Sequence, residues 1–166
     1  VSSEDLLGDE NDGFKVVLDA MNAERILIAS ECIGDARYFI KKATEYASNR
    51  IVFDRPIGAN QGVSFPLARA YANMVAAKLL VEKAATLFDA NEHCGAEANM
   101  CKLLASEVSW FAGDTAMQTF GGFAFSKEYH IERKFRETRL YQIAPVSTNL
   151  ILSYIAEREL GLPRSF

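Results

Sequence analysis

GFKVVLDAMNAERILIASECIGDARYFIKKATEYASN, residues 13–49, is the stretch whose reading decides the fold. Val17, Ala20, Met21, Leu27, Ile28, Ala29, Ala36, Phe39 and Ile40 recur within it at helical spacing. Side chains three and four apart share one face of a 3.6-residue helix, so the pattern predicts a single long helix. Asn11 or Asp12 is placed to cap its start, because a short side-chain oxygen accepts an orphan backbone N–H. The helix should break before the cluster of Asp54, Pro56 and Gly58.

Outward from this helix the same period returns. A second long helix is predicted over about 61–90, with Pro66 in its early turns, where a missing N–H is tolerated. A turn at Asn91-Glu92-His93-Cys94-Gly95 leads to a third helix over about 96–120, stopped by Gly121-Gly122. A short helix follows near 127–137, and a last one over about 146–160 ends before Gly161 and Pro163. Few segments read as strands. The expected fold is all-α, an antiparallel bundle, since short connections make consecutive helices run in opposite directions. Residues 1–12 are polar and lack a helical period, so they predict an extended lead-in, with at most a short strand over about 1–8. The bundle domain then spans about 13–166.

A chain of 166 residues suits one well-buried domain. Its 49% hydrophobic and 24% charged residues exclude a disordered or fibrous class. A net charge of -4 without a basic stripe argues against nucleic acid as a partner. Apolar runs are broken by charges well before the ~20 residues a membrane span needs, and the start lacks a signal-peptide pattern. Cys32, Cys94 and Cys101 form no CxxC pair, and His93 and His130 are the only histidines, so a metal site is not expected. Three reduced thiols fit a cytoplasmic setting.

Several local patterns together go further than a bundle. Arg50-Ile51-Val52-Phe53-Asp54-Arg55-Pro56-Ile57, followed by Gln61, resembles the Arg-x-x-Phe-Gly-x-Pro-Ile signature of acyl-CoA dehydrogenases. Gln118-Thr119-Phe120-Gly121-Gly122 is similar to that family's Gln-x-x-Gly-Gly. Glu128, Glu132-Arg133 and Arg136-Glu137-Thr138-Arg139 resemble its Glu-Arg-x-x-Arg-Asp-x-Arg. The lead-in Glu4-Asp5-Leu6-Leu7-Gly8 resembles the join between the family's middle β-domain, absent here, and its C-terminal helices. The resemblance covers essentially the whole chain, and the order and spacing of the motifs are more specific than any one of them.

The resemblance implies the C-terminal helical domain of an FAD-dependent enzyme that desaturates an acyl-CoA thioester. It also implies reoxidation by an electron-transfer flavoprotein and a homotetramer whose cofactor lies between domains and subunits. Carried onto this sequence, it makes Arg50, Phe53, Gln61, Gln118, Gly121, Gly122, Ser147 and Asn149 the cofactor-binding candidates. A guanidinium such as that of Arg50 can fork onto a pyrophosphate. Glycines let backbone amides approach a phosphate or ribose closely. Phe53 suits either the cofactor or the core, and Gln61 either the cofactor or its own helix start. The charged run over 127–139 reads as a solvated helix face laced with ion pairs.

The departures are informative. Asp54 and Ala124 replace family glycines, and Pro145 stands where many members carry the glutamate that removes the substrate α-proton. Proline cannot act as a base. In the isovaleryl-CoA and long-chain types the base comes from the first helix of this domain, and the matching stretch here is Asn22-Ala23-Glu24-Arg25. The resemblance therefore makes Glu24 the catalytic residue, with Asn22, Ala23 and Arg25 beside it as substrate-binding candidates. Arg25 reads equally as an ordinary charge on the helix surface. The neighbours of Glu24 one turn away, Ala20, Met21, Leu27 and Ile28, are all apolar. That stripe is expected to face inward, where a carboxylate loses hydration. Glu31 lies near the same face, and periodicity alone does not choose between the two. Two other classes stay open: a non-catalytic scaffold or assembly subunit, which Pro145 favours, and a flavin oxidase or monooxygenase on the same frame.

Overall fold

A computed structural model describes residues 2–164 of the chain. Five α-helices carry it: α1 (Gly13–Asn49), α2 (Gln61–Asp89), α3 (Gly95–Phe120), α4 (Ile131–Tyr141) and α5 (Thr148–Tyr154). The three long helices are those the periodicity predicts, within a residue or so at each end. The all-α reading holds, with one small exception. Strands β1 (Ile51–Val52) and β2 (Arg55–Pro56) pair antiparallel between α1 and α2. The lead-in forms a 3-10 turn at Ser3–Asp5 in place of a strand. α4 starts and ends later than expected, after two 3-10 turns at Gly121–Phe125 and Lys127–Tyr129, and α5 continues as a π-turn over Ile155–Glu159. Asp12 stands at the start of α1, but its side chain makes no cap hydrogen bond; it pairs with Lys15 instead.

The core lies where α3 packs against both α1 and α2. Along α1 the buried residues Ile26, Ala29, Cys32, Ile33, Ala36, Phe39, Ala43 and Ala47 repeat every three or four positions. α2 offers Leu67, Ala70, Met74, Ala77, Val81 and Ala84 in the same way and stays helical through Pro66. Small alanines on the buried stripes let the helices approach closely, and aromatics fill the ends. Tyr46 near the end of α1 stacks on Phe120 at the end of α3, with ring centroids 4.3 Å apart. Consecutive long helices reverse direction, so α1 and α3 run the same way.

α4 is fastened to the bundle through charge and ring contacts. Lys134 bonds buried Asp35 of α1 at 2.5 Å and Glu137 at 2.6 Å. Phe135 stacks on Trp110 of α3 at 4.6 Å, and Arg139 covers the other part of that indole. The expected ion pairs along this face are present, Arg133 with Glu137 and Arg136 with Glu132. Lys134 is more than a solvated charge, because its partner Asp35 is buried.

Two helical glycines make a paired stability test. A Cβ at Gly113 of α3 would meet Phe135 Cδ2 at 3.0 Å and Phe39 Cε2 at 3.3 Å. Phe39 is fully buried, and Phe135 is held in its stack, so neither gives way easily. Overpacking of about 1–3 kcal/mol should outweigh the roughly 1 kcal/mol that alanine gains over glycine in a helix. A Cβ at exposed Gly34 of α1 meets nothing within 4 Å. Urea unfolding should therefore show Gly113→Ala destabilised and Gly34→Ala stabilised by about 0.5–1 kcal/mol. Equal shifts of one sign would contradict the packing described here.

Candidate functional site

At the common end of α1 and α3 a cleft of about 510 Å³ opens between helix ends and the β-hairpin. Arg50, Gln118, Gly121 and Gly122 line it together, with Tyr46, Thr119, Phe120 and Phe123. Four of the cofactor candidates, 68 or more positions apart from Arg50 in the case of the second motif, thus share one surface.

The local fold explains the convergence. Arg50 ends α1: its N–H still donates to the Tyr46 carbonyl at 2.9 Å, and its own carbonyl accepts from Ile57 N–H at 2.9 Å. The backbone is thereby fixed on both sides, while the guanidinium makes no hydrogen bond or ion pair among the described residues. α3 ends at Gly121, whose φ of +58° is a left-handed stop that favours glycine. A Cβ at Gly121 or Gly122 would meet nothing within 4 Å. Internal packing does not require Gly122 to lack a side chain, and its bare backbone lines the cleft. An unpaired cation, two bare backbone positions, an exposed amide side chain and flanking aromatic rings suit a phosphate-bearing nucleotide.

The other cofactor candidates fall elsewhere. Phe53 is not core, which removes one of its two expected roles: it is 94% exposed at the hairpin tip and does not line the cleft. The hairpin needs two left-handed residues, and Phe53 (φ +51°) and Asp54 (φ +61°) supply them. Asp54 can hold this conformation because Asp tolerates the left-handed region better than most residues. Gln61 opens α2, exposed, next to Gly62 and Val63 of a second cavity of about 600 Å³ that Gln118 and Thr119 also line. It is not the helix cap; that position is Asn60. Ser147 caps α5 by accepting from Leu150 N–H at 3.4 Å, and Asn149 is exposed in the first turn of α5. Neither lines the cleft with Arg50.

The stretch Asn22-Ala23-Glu24-Arg25 corrects two expectations. Glu24 does not face the core: it is exposed, as are Ala20 and Leu27, with Leu27 69% exposed. The bundle turns the other side of α1 inward. Arg25 is not a surface charge either, being only 6% exposed. Its Nη1 donates to Asn22 Oδ1 at 2.7 Å, while its Nε is buried without a partner. Burial pulls the guanidinium below its ordinary value, against the opposing pull of Tyr154, Cys94, Cys101 and Glu24. Asn22 and Ala23 are half-buried. Glu31, the other acid near this face, accepts from Tyr141 Oη at 3.0 Å, which ties it to α4.

The first half of α1 is apolar on its outer side as well: Phe14, Val17, Leu18 and Leu27 are all exposed around Glu24. A run of large exposed apolar residues marks a surface meant to be covered. The three cysteines are buried free thiols, and burial pushes Cys32 and Cys101 up to about 12, which leaves them inert at neutral pH. No helix among the described residues is long and apolar enough to cross a membrane.

The lining of the cleft includes residues that motif reading passed over. Tyr46 is one helical turn before Arg50 and so shares its face, a signal that spacing alone carries. Phe120 and Phe123 flank the two glycines.

Comparison with known proteins places the chain by sequence and by fold. The family described as "Acyl-CoA dehydrogenase, C-terminal domain" matches residues 11–160. Acyl-CoA dehydrogenase FadE12 of Mycobacterium tuberculosis is 39% identical over 163 residues, covering 97% of this chain and 42% of that protein. The solved butyryl-CoA dehydrogenase of Megasphaera elsdenii superposes with a TM-score of 0.92 at 31% identity, over 96% of this chain and 42% of that one. PigA, solved with FAD and proline, superposes with a TM-score of 0.89 at 28% identity, over 94% of this chain and 40% of that one. The chain therefore spans about two-fifths of the length of each of these proteins.

Proposed function

The chain belongs to the acyl-CoA dehydrogenase family, and from that premise we propose that it forms the C-terminal domain of an FAD-dependent enzyme that desaturates an acyl-CoA thioester between Cα and Cβ. The observation that carries the proposal is the convergence of Arg50, Gln118, Gly121 and Gly122 on one cleft. In this reading Arg50 forks onto the pyrophosphate of FAD, Gln118 hydrogen-bonds its polar groups, and the bare backbone at Gly121-Gly122 lets it approach. Gln61 meets it from the start of α2 and Phe53 from the hairpin tip, whereas Ser147 and Asn149, at the far end of the bundle with Glu24, meet the flavin end of a cofactor whose pyrophosphate is held by the Arg50 cleft of a neighbouring subunit. PigA, which shares the fold, was solved with FAD, and this supports the assignment.

Glu24 is the proposed base. Its carboxylate takes the α-proton of the thioester, while the chemistry that bound FAD supplies is acceptance of the β-hydride. Asn22, Ala23 and Arg25 shape the substrate side next to it. The exposed apolar residues around Glu24 support a site completed by other parts of the enzyme: covering that face would exclude water from the carboxylate. The two electrons pass on to an electron-transfer flavoprotein, and subunits assemble as a tetramer through this bundle. A panel of acyl-CoA thioesters of different length and branching, assayed on the intact protein with an artificial electron acceptor, tests the reading. Turnover of none of them, with FAD bound, would overturn it.

Pro145 favours a second reading, a non-catalytic scaffold of the same family. FAD content separates the two only partly; turnover separates them fully. The isolated 166-residue chain should carry little FAD, because the cleft is open and offers one side of a cofactor site. A stoichiometric flavin absorbance in the purified chain would contradict this.

A further inference from the structure

Lys102 is fully buried in the first half of α3. A lysine is almost never buried without a carboxylate beside it. Here no ion pair reaches Lys102 among the described residues. The groups facing it from α1 are the Cys32 thiol and a second buried cation, Arg25. Its Nζ has a single hydrogen-bond acceptor, the Val146 carbonyl, at 2.8 Å and 44 positions along the chain. Burial lowers the ammonium from its ordinary value, so the charge is held at a cost that packing alone would not justify.

Val146 lies in the stretch 142–148, the connection between α4 and α5 together with the first residue of α5. Most of that segment is only half-buried. Its other hydrogen bonds are local: Ile143 and Ala144 N–H to the Leu140 carbonyl, and Thr148 N–H and Oγ1 to the Gln142 carbonyl. Among the described residues the Lys102 ammonium makes the one hydrogen bond between this segment and the three long helices. Ser147 follows directly and caps α5.

We propose that Lys102 is a positioning residue: its buried ammonium fixes the segment 142–148 on α3 through the Val146 carbonyl and so sets Ser147 and Asn149 against the cofactor. A backbone carbonyl is a suitable anchor for this purpose, because it holds the chain without depending on which side chain occupies position 146. The tie also explains how the segment keeps a defined path with proline and valine at 145 and 146. The part that concerns the cofactor rests on the dehydrogenase reading above; the tie itself does not.

The test is Lys102→Met in the intact protein, which keeps the length of the side chain and removes its N–H groups. Hydrogen exchange should speed up about tenfold or more for the amides of 143–150, as expected for a lost charge-assisted bond, while α1 and α2 keep their rates. FAD should bind about tenfold more weakly in the same variant. Unchanged exchange in 143–150, or a parallel rise throughout α1, α2 and α3, would overturn the tie. A loosened segment with undiminished FAD affinity would leave the tie standing and overturn the assignment of Ser147 and Asn149 to the cofactor. Thr148→Val covers the case in which Lys102→Met does not fold. It removes the segment's own hydroxyl bond and keeps the lysine, so exchange should stay within about twofold of wild type. A tenfold rise there would show that the lysine is not what holds the segment.

Discussion

Glu24→Gln should leave the intact protein folded and its FAD content near normal while lowering acyl-CoA desaturation by about 10²- to 10⁴-fold, the usual loss when a general base is removed. The substitution keeps the shape of the side chain and its hydrogen-bonding reach, and it abolishes proton acceptance at the Oε atoms. Folding should be unaffected because Glu24 is exposed and makes no ion pair among the described residues. The cleft at Arg50 is at the opposite end of α1, so FAD retention should not follow the mutation. The competing acid on this helix is Glu31, which is engaged by the Tyr141 hydroxyl. Glu31→Gln should therefore act on the α1–α4 contact and on stability more than on turnover. Stopped-flow reduction of the bound flavin by substrate isolates the proton-abstraction step from later electron transfer. Wild-type reduction rates in Glu24→Gln across a thioester panel would place the base elsewhere, and Pro145 ensures that it is not at the family's usual position.

The same helix shows what sequence could and could not say. The long helices were legible because each interior stripe repeats every three or four residues, and because Asn91 and Gly121 break the pattern sharply. The direction in which Glu24 points was not. In the first half of α1 apolar residues fall on more than one side, so Ala20, Met21, Leu27 and Ile28 make as good a stripe as Ile26, Ala29 and Ile33. Only packing against α2 and α3 decides between them, and it selects the second. Ala20, Leu27 and Glu24 are left exposed, while Met21 is half-buried and Ile28 packs against the edge of the core. Arg25 was misleading for a related reason. Its residue type reads as surface, yet it is one step along the helix from Ile26, which is buried. The β-hairpin was hidden because Phe53-Asp54 lacks the Asn-Gly signal usual for a two-residue turn. Its family motif was visible all the same, so the residues were found without their geometry. The cleft was half legible: the two motifs named Arg50, Gln118, Gly121 and Gly122, but Tyr46, Phe120 and Phe123 entered it only when α1 and α3 were seen to end side by side.

Arg50→Ala should weaken FAD binding by about 10- to 100-fold, the equivalent of one lost hydrogen bond to a charged group at about 1.5–3 kcal/mol. The estimate depends on the state of Arg50 before the cofactor arrives. Its backbone is pinned through Tyr46 and Ile57, and no carboxylate of this chain competes for the guanidinium among the described residues. An arginine held in place and left unpaired loses little when an anion takes it up, which is the condition for a strong fork. Arg50→Lys should recover only part of the affinity, since an ammonium keeps the charge and loses the planar pair of donors. Folding should be nearly untouched, because the side chain is exposed and both the N–H that ends α1 and the C=O that closes the hairpin belong to the backbone. Dilution of the purified holoenzyme, followed by flavin fluorescence of the released fraction, measures the change directly. The order wild type, Lys, Ala is the signature of a phosphate fork. An unchanged dissociation constant in Arg50→Ala would make Arg50 a plain surface charge at the end of α1, and the pyrophosphate would then have to be held by groups outside this chain.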